Sequence, residues 1–167
     1  TYGDVIYEQK ILSGLMATTD DISVTIDTNW RKYWTIRYGD FSKDIESLIL
    51  NSNGTIKELG EEKIGLDKID GRYIGLIKFS KKGLDKLKEV YYEGKKLFWD
   101  KPWKRSGEIF QKAFMTDILQ ALIDSEFQVQ TYAVNGGWLE FDTNKDYEIM
   151  VEMYRNGSLS QLINLER

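Results

Sequence analysis

The chain contains no cysteine, no histidine and a single proline, Pro102, in 167 residues. Without cysteine there is no disulfide, no thiolate metal site and no thiol nucleophile. Without histidine the Ser-His-Asp triad, H-E-x-x-H metal chemistry and an imidazole base are excluded. Catalysis would have to rest on carboxylates, lysine, arginine, hydroxyls, backbone donors or a hard metal held by oxygen. Glycine-rich phosphate loops are missing too. Gly136-Gly137 reads as a turn, and nothing matches G-x-x-x-x-G-K-[ST] or G-x-G-x-x-G. No apolar run reaches the ~18 residues of a membrane-spanning helix. No signal-peptide pattern stands at the start, so the cytoplasm is the expected compartment. With one proline and no Gly/Ser-rich stretch there is no linker, and residues 1–167 read as one domain.

What is present is a chain that is 41% hydrophobic, 13% aromatic and 30% charged, enough to bury a core without staples. Its 23 basic and 27 acidic side chains leave a net charge of −4, which argues against a nucleic-acid coat. Lysines are dense from Lys78 to Lys104, with Tyr91, Tyr92, Phe98, Trp99 and Trp103 between them. Asp85, Glu89, Glu93 and Asp100 dilute that charge, so the stretch reads as the polar face of an amphipathic helix rather than a nucleic-acid surface.

Periodicity predicts a helix over Val5 to Met16, on Ile6, Ile11, Leu12 and Leu15. A strand follows at Ile22 to Ile26, closed by Asp27 and Asn29. Ile45 to Leu50 and Thr55 to Leu59 form a hairpin around Asn53-Gly54, because that pair supplies the positive φ of a tight turn. Tyr73 to Phe79 is apolar enough for a central strand. Lys81 to Tyr91 is an amphipathic helix with Leu84, Leu87, Val90 and Tyr91 on one side. Glu108 to Ile123 is a longer, buried helix. Gln128 to Val134 and Trp138 to Asp142 are strands, Thr143 to Arg155 a helix, and Leu159 to Leu165 a short terminal helix. Interleaved strands and helices favour an α/β three-layer sheet, with ligands at the carboxyl ends of its strands.

Asp142 is the leading candidate for chemistry. A period of two sets Trp138, Glu140 and Asp142 on one strand face and Leu139 and Phe141 on the other. Asp142 or Thr143 also suits the cap of the following helix, because Thr143 and Asp146 have capping-box form. The neighbouring Glu140 favours function, since two inward carboxylates on a strand are costly unless bound to something. Asp4 follows a glycine and precedes the first helix, so it is a strand-end carboxylate or an N-cap. Two strand-end aspartates meeting at one sheet edge suit Mg²⁺, which takes one or two carboxylates, several waters and phosphate oxygens. Trp30, Tyr33, Trp34 and Tyr38 follow a strand end; they form a cation cage or pack a loop onto the body. Asp117, Gln120 and Asp124 lie on one helix edge, most simply its polar edge.

These residues resemble a family. Tyr2-Gly3-Asp4 before a helix, with Asp20-Asp21-Ile22 leading to a strand that ends at Asp27 and Trp30, resembles the middle of the sugar-nucleotidyltransferase-like superfamily. Gly71-Arg72-Tyr73-Ile74-Gly75-Leu76 resembles its acceptor-side strand. Thr116-Asp117-Ile118-Leu119-Gln120 resembles its T-D-L-L-Q helix. Gly137-Trp138-Leu139-Glu140-Phe141-Asp142-Thr143, with Asp146, resembles its W-x-E-[IV]-D-T-x-x-D ending. The nearest branch is the cytidylyltransferases of phosphocholine and 2-aminoethylphosphonate, associated with phosphoenolpyruvate phosphomutase. The resemblance implies Mg²⁺ on Asp4 and Asp142 between nucleotide and acceptor phosphates. It implies that the acceptor oxygen attacks the α-phosphorus and releases pyrophosphate. Glu140, Asp117, Trp30 and Trp138, with Tyr73 and Gly75 on the acceptor-side strand, become substrate-binding candidates, chiefly for the amine or choline end. CTP or another nucleoside triphosphate, and a small phosphorylated amine or sugar, become the expected partners. No nucleic acid and no membrane is expected, and a homo-oligomer is left open.

One departure stands out. The family opens with a strand and a glycine-rich nucleotide loop followed by lysine, and neither is here. The sequence therefore reads as the carboxyl-terminal two-thirds of such an enzyme: a Rossmann-like α/β/α sheet without its nucleotide-binding strands, expected to be inactive alone. Missing strands would leave a sheet edge to cover. A sugar 1-phosphate acceptor, a non-catalytic binding or regulatory module of the same fold, and a metal-dependent glycosyltransferase are the alternative readings. The lack of D-x-D at Asp4 counts against the last.

Overall fold

A computed structural model describes residues 1–61 and 64–165. It is mixed α/β, with elements in the order β1 (Val5–Tyr7), α1 (Gln9–Ala17), β2 (Ile22–Asp27), α2 (Trp30–Tyr38), β3 (Leu48–Leu50), β4 (Ile56–Leu59), β5 (Arg72–Phe79), α3 (Lys81–Phe98), α4 (Met115–Asp124), β6 (Gln130–Val134), β7 (Trp138–Glu140) and α5 (Asn144–Arg155). Short 3₁₀ turns lie at Leu66–Lys68, Phe110–Lys112 and Ser158–Gln161.

Among the described residues the strands form three small sheets. The largest has the order β5-β2-β6, with β2 antiparallel to β5 and parallel to β6. All six residues of β2 are buried. Ile22, Val24 and Ile26 join one apolar cluster with Leu48, Ile56, Leu119, Leu122 and Val129. A second cluster packs Ile11, Leu15, Trp30, Trp34, Ile74, Leu76, Trp138 and Leu139.

Tyr73 to Phe79 is thus an edge strand rather than a central one, and its edge is covered. One residue of β2, Thr25, opposes three of β5, Ile74, Gly75 and Leu76, between the Val24–Ile77 and Ile26–Tyr73 pairs, which makes a bulge around Gly75. Gly75 has φ +78°, and a Cβ there would meet the Tyr2 ring at 2.7 Å. The bulge lets Tyr2 lie across the strand and donate its N–H to the Gly75 carbonyl at 3.2 Å.

The hairpin forms as expected. Gly54 takes φ +81°, and Asn51 N–H donates to the Thr55 carbonyl at 2.9 Å. The expected first helix divides: Val5–Tyr7 is a strand paired antiparallel with β7, and the helix begins at Gln9. Val-Ile-Tyr is β-branched and aromatic, and a partner strand from far along the chain overrides its helical spacing. The aromatic stretch after β2 is itself a helix, α2, with Trp30, Tyr33, Trp34 and Arg37 as its buried face. The expected helix from Glu108 to Ile123 also divides. A 3₁₀ turn precedes α4, and the Asp117 carboxylate accepts the Phe114 N–H at 2.9 Å to open the new helix. The terminal helix shortens to one turn, Ser158–Gln161.

Candidate active site

The site is built where β1 begins and β7 ends, side by side in an antiparallel pair. Their register pairs Val5 with Glu140 and Tyr7 with Trp138. Phe141 N–H extends the ladder by donating to the Asp4 carbonyl at 2.9 Å. Asp4 therefore stands beside Phe141, one residue from Asp142, although 138 positions separate the two aspartates. Asp4 is exposed, and the Asp142 side chain retains 43% of its exposure.

Directly after β7 the chain turns into α5. Thr143 caps that helix: its hydroxyl accepts the Asp146 N–H, and the Asp146 carboxylate accepts both the Thr143 N–H and hydroxyl at 2.8 Å. This is the reciprocal capping box expected from the sequence. The cap is therefore Thr143, and Asp142 is left for another partner.

That partner is Arg37, which sequence reasoning passed over. Residues 30, 33, 34 and 37 recur at one-face helical spacing, so Arg37 sits on the buried side of α2 with three aromatics. Its side chain is fully buried. Nε donates to Asp146 Oδ1 at 2.7 Å, and Nη1 donates to Glu140 Oε2 at 2.6 Å. Nη2 donates to Asp142 Oδ2, and to Asp146 Oδ2 at 3.1 Å. The guanidinium carbon lies 5.4 Å and 5.0 Å from the Trp34 and Tyr38 ring centres. The available signal was an arginine at the fourth position of an otherwise aromatic helix face.

Three carboxylates on one guanidinium leave two negative charges in excess. Burial pushes the Glu140 carboxyl above its ordinary range; the Asp142 charge adds to this, and Arg37 opposes it. Burial also acts to raise Asp146, but hydrogen bonds from Arg37 and Thr143 outweigh it and hold that carboxyl below the usual range. Tyr33 fixes the backbone here, since the Glu140 N–H donates to its hydroxyl at 2.9 Å. Arg72 flanks the cluster, 4.6 Å from the Trp34 ring centre and 3.3 Å from Asp44 Oδ2.

The structure thus brings Glu140 and Asp142 together on one guanidinium and sets Asp4 opposite Phe141 by a backbone hydrogen bond, with Tyr73 nearby through Tyr2, whose ring meets it edge-on at 5.7 Å. Gly75 carries the bulge that seats Tyr2. Trp30 and Trp138 are each 1% exposed and belong to the aromatic core, with Trp30 edge-on to Trp34 and Trp138 edge-on to Tyr33. Trp138 Nε1 donates to the buried Asp27 carboxylate at 2.9 Å. Asp117 stays apart. Its carboxylate accepts from the N–H groups of Arg105, Ser106 and Phe114 and from the Ser106 hydroxyl, all around the start of α4. Among the described residues no three His, Cys, Asp or Glu side chains are grouped to hold a metal. No described helix is long and apolar enough to cross a membrane.

Fold and site together define a mixed α/β protein with a carboxylate cluster at paired strand ends, organised by one buried arginine. No protein-family model matches the chain. The chain is 31% identical over 152 residues to a CTP:phosphoglutamine cytidylyltransferase of Campylobacter jejuni. That match covers 91% of this chain and 58% of the relative, so the chain spans less than two-thirds of the protein it matches.

Proposed function

We propose that this chain contributes the acceptor-side part of a nucleotidyltransferase that moves CMP from CTP to a small phosphorylated acceptor. The observation that carries this reading is the 31% identity to a cytidylyltransferase along 91% of the chain. The paired strand ends bearing Asp4 and Asp142 support it. In the reaction, a phosphate or phosphonate oxygen of the acceptor attacks the α-phosphorus of CTP. The bond to the bridging oxygen of the β-phosphate breaks, and pyrophosphate leaves.

The donor set suits Mg²⁺, since two exposed or half-exposed carboxylates on neighbouring strands leave room for waters and phosphate oxygens. Asp4 and Asp142 are the residues that would hold it, and the ion would neutralise charge on the phosphates. The residues of the chain supply positioning. Glu140 and Tyr73 are candidates to receive the amine or amide end of the acceptor. The excess negative charge around Arg37 favours a cationic group there over a neutral sugar.

The test is pyrophosphate release by the full-length protein that the gene encodes. CTP is offered with phosphoglutamine, phosphocholine, 2-aminoethylphosphonate and a hexose 1-phosphate in turn. Mg²⁺-dependent release with a nitrogen-bearing acceptor is the expected result. Release only with the sugar phosphate would move the acceptor class. Release with none would favour a binding module.

A further inference from the structure

Arg37 makes more contacts than anchoring requires. Asp146, meeting Nε and Nη2 together, already gives a buried arginine a bidentate carboxylate partner. The fork nevertheless continues outward, with Nη1 on Glu140 and Nη2 on the half-exposed Asp142. The three carboxylates therefore run from fully buried at Asp146 to open at Asp142, with 4%, 19% and 43% of side-chain exposure for Asp146, Glu140 and Asp142. The guanidinium has little freedom of its own. It is enclosed beside the Trp34 and Tyr38 rings, on the last turn of a helix that Gly39 closes at φ +75°. Arg37 takes one Asp142 oxygen, Oδ2, and leaves Oδ1 for another ligand.

We propose that Arg37 is a positioning residue: it ties the Asp142 carboxylate to the cap of α5 and fixes the orientation in which its second oxygen receives a divalent cation. This rests on the reading of Asp142 as a metal ligand. It assigns Arg37 no contact with substrate. A planar fork is needed, because lysine would keep the charge but could not hold three carboxylates in one plane. Partners that orient a ligand commonly change metal affinity about 10–100-fold when removed.

The test titrates the full-length protein with Mn²⁺ alone and reads free Mn²⁺ by electron paramagnetic resonance, well below each variant's melting temperature. Asp142→Asn and Arg37→Lys are each expected to weaken Mn²⁺ binding about tenfold or more. Tyr38→Ala keeps every charge and removes a half-buried ring beside the guanidinium, with its hydroxyl contact to Asp44; it is expected to weaken binding measurably, and it serves where Arg37→Lys does not fold. If Asp142→Asn binds Mn²⁺ as wild type does, the metal reading of Asp142 fails and the positioning role fails with it. If Asp142→Asn weakens binding while folded Arg37→Lys or Tyr38→Ala does not, the metal reading stands and the role of Arg37 is overturned.

Discussion

Arg37 and Asp146 meet edge to edge, Nε on Oδ1 at 2.7 Å and Nη2 on Oδ2 at 3.1 Å, joining the last turn of α2 to the first turn of α5. The pair is nearly sealed, with 0% and 4% side-chain exposure. Arg37 keeps Glu140 and Asp142 when the Asp146 charge is removed, so the loss is that of charge-assisted hydrogen bonds and part of the α5 cap rather than of the only counter-charge. Asp146→Asn is therefore expected to lower stability by about 1–3 kcal/mol, measured by urea unfolding at neutral pH.

The same carboxylate sets an acid limit. Its folded pKa lies below the ordinary value, so the unfolded chain takes up the proton first. The stability it contributes is fully present above the ordinary carboxylate range and is lost as the pH falls towards the folded value. Urea midpoints of the wild type should fall through that window, and those of Asp146→Asn should fall less. Equal slopes would contradict the assignment.

Asp27 closes β2 as a buried acceptor for Asn29 N–H, Gly136 N–H and Trp138 Nε1–H. An asparagine keeps one acceptor oxygen but turns a donor towards the others. Asp27→Asn is expected to cost about 1–3 kcal/mol. It should also change tryptophan emission as the Trp138 indole loses its carboxylate partner. Unchanged emission and melting would count against Asp27 as the anchor of that core.

Gly83 lies in the first turn of α3, pressed on the start of β2. A Cβ there would lie 2.1 Å from the Asp21 carbonyl oxygen and 2.9 Å from Ile22 Cγ1. In an exposed helix Gly→Ala would gain up to about 1 kcal/mol. Here overpacking against backbone should reverse the sign, with a loss of about 1–3 kcal/mol. A higher melting temperature for Gly83→Ala would contradict the close docking of α3.

Local chemistry made much of this architecture readable. Asn53-Gly54 announced the hairpin, Thr143 with Asp146 announced the cap of α5, and the alternation from Ile22 to Asp27 announced β2. The coarse α/β class followed from the interleaving of elements. What escaped was non-local. Three residues, Val5–Tyr7, became a strand because β7 lay alongside. Trp30–Tyr38 carries residues that form helices poorly, and core packing rather than propensity folds it. Arg37 was invisible for the same reason: its importance lies in three carboxylates that are more than a hundred positions away and arrive only when β7 and α5 dock. Asp4, expected at the end of a strand and before a helix, stands instead just before β1, opposite Phe141, because β1 pairs antiparallel with β7.

The proposed role of the β1–β7 strand ends is cytidylyl transfer. Its most direct test compares wild-type and Asp142→Asn full-length protein for Mg²⁺-dependent pyrophosphate release from CTP and the best phosphorylated acceptor, with circular dichroism to show that both are folded. Release by the wild type is expected, with a loss of about a hundredfold or more in folded Asp142→Asn, in the range seen when a transition-state contact is removed. Asp142→Asn turning over at the wild-type rate would contradict that role.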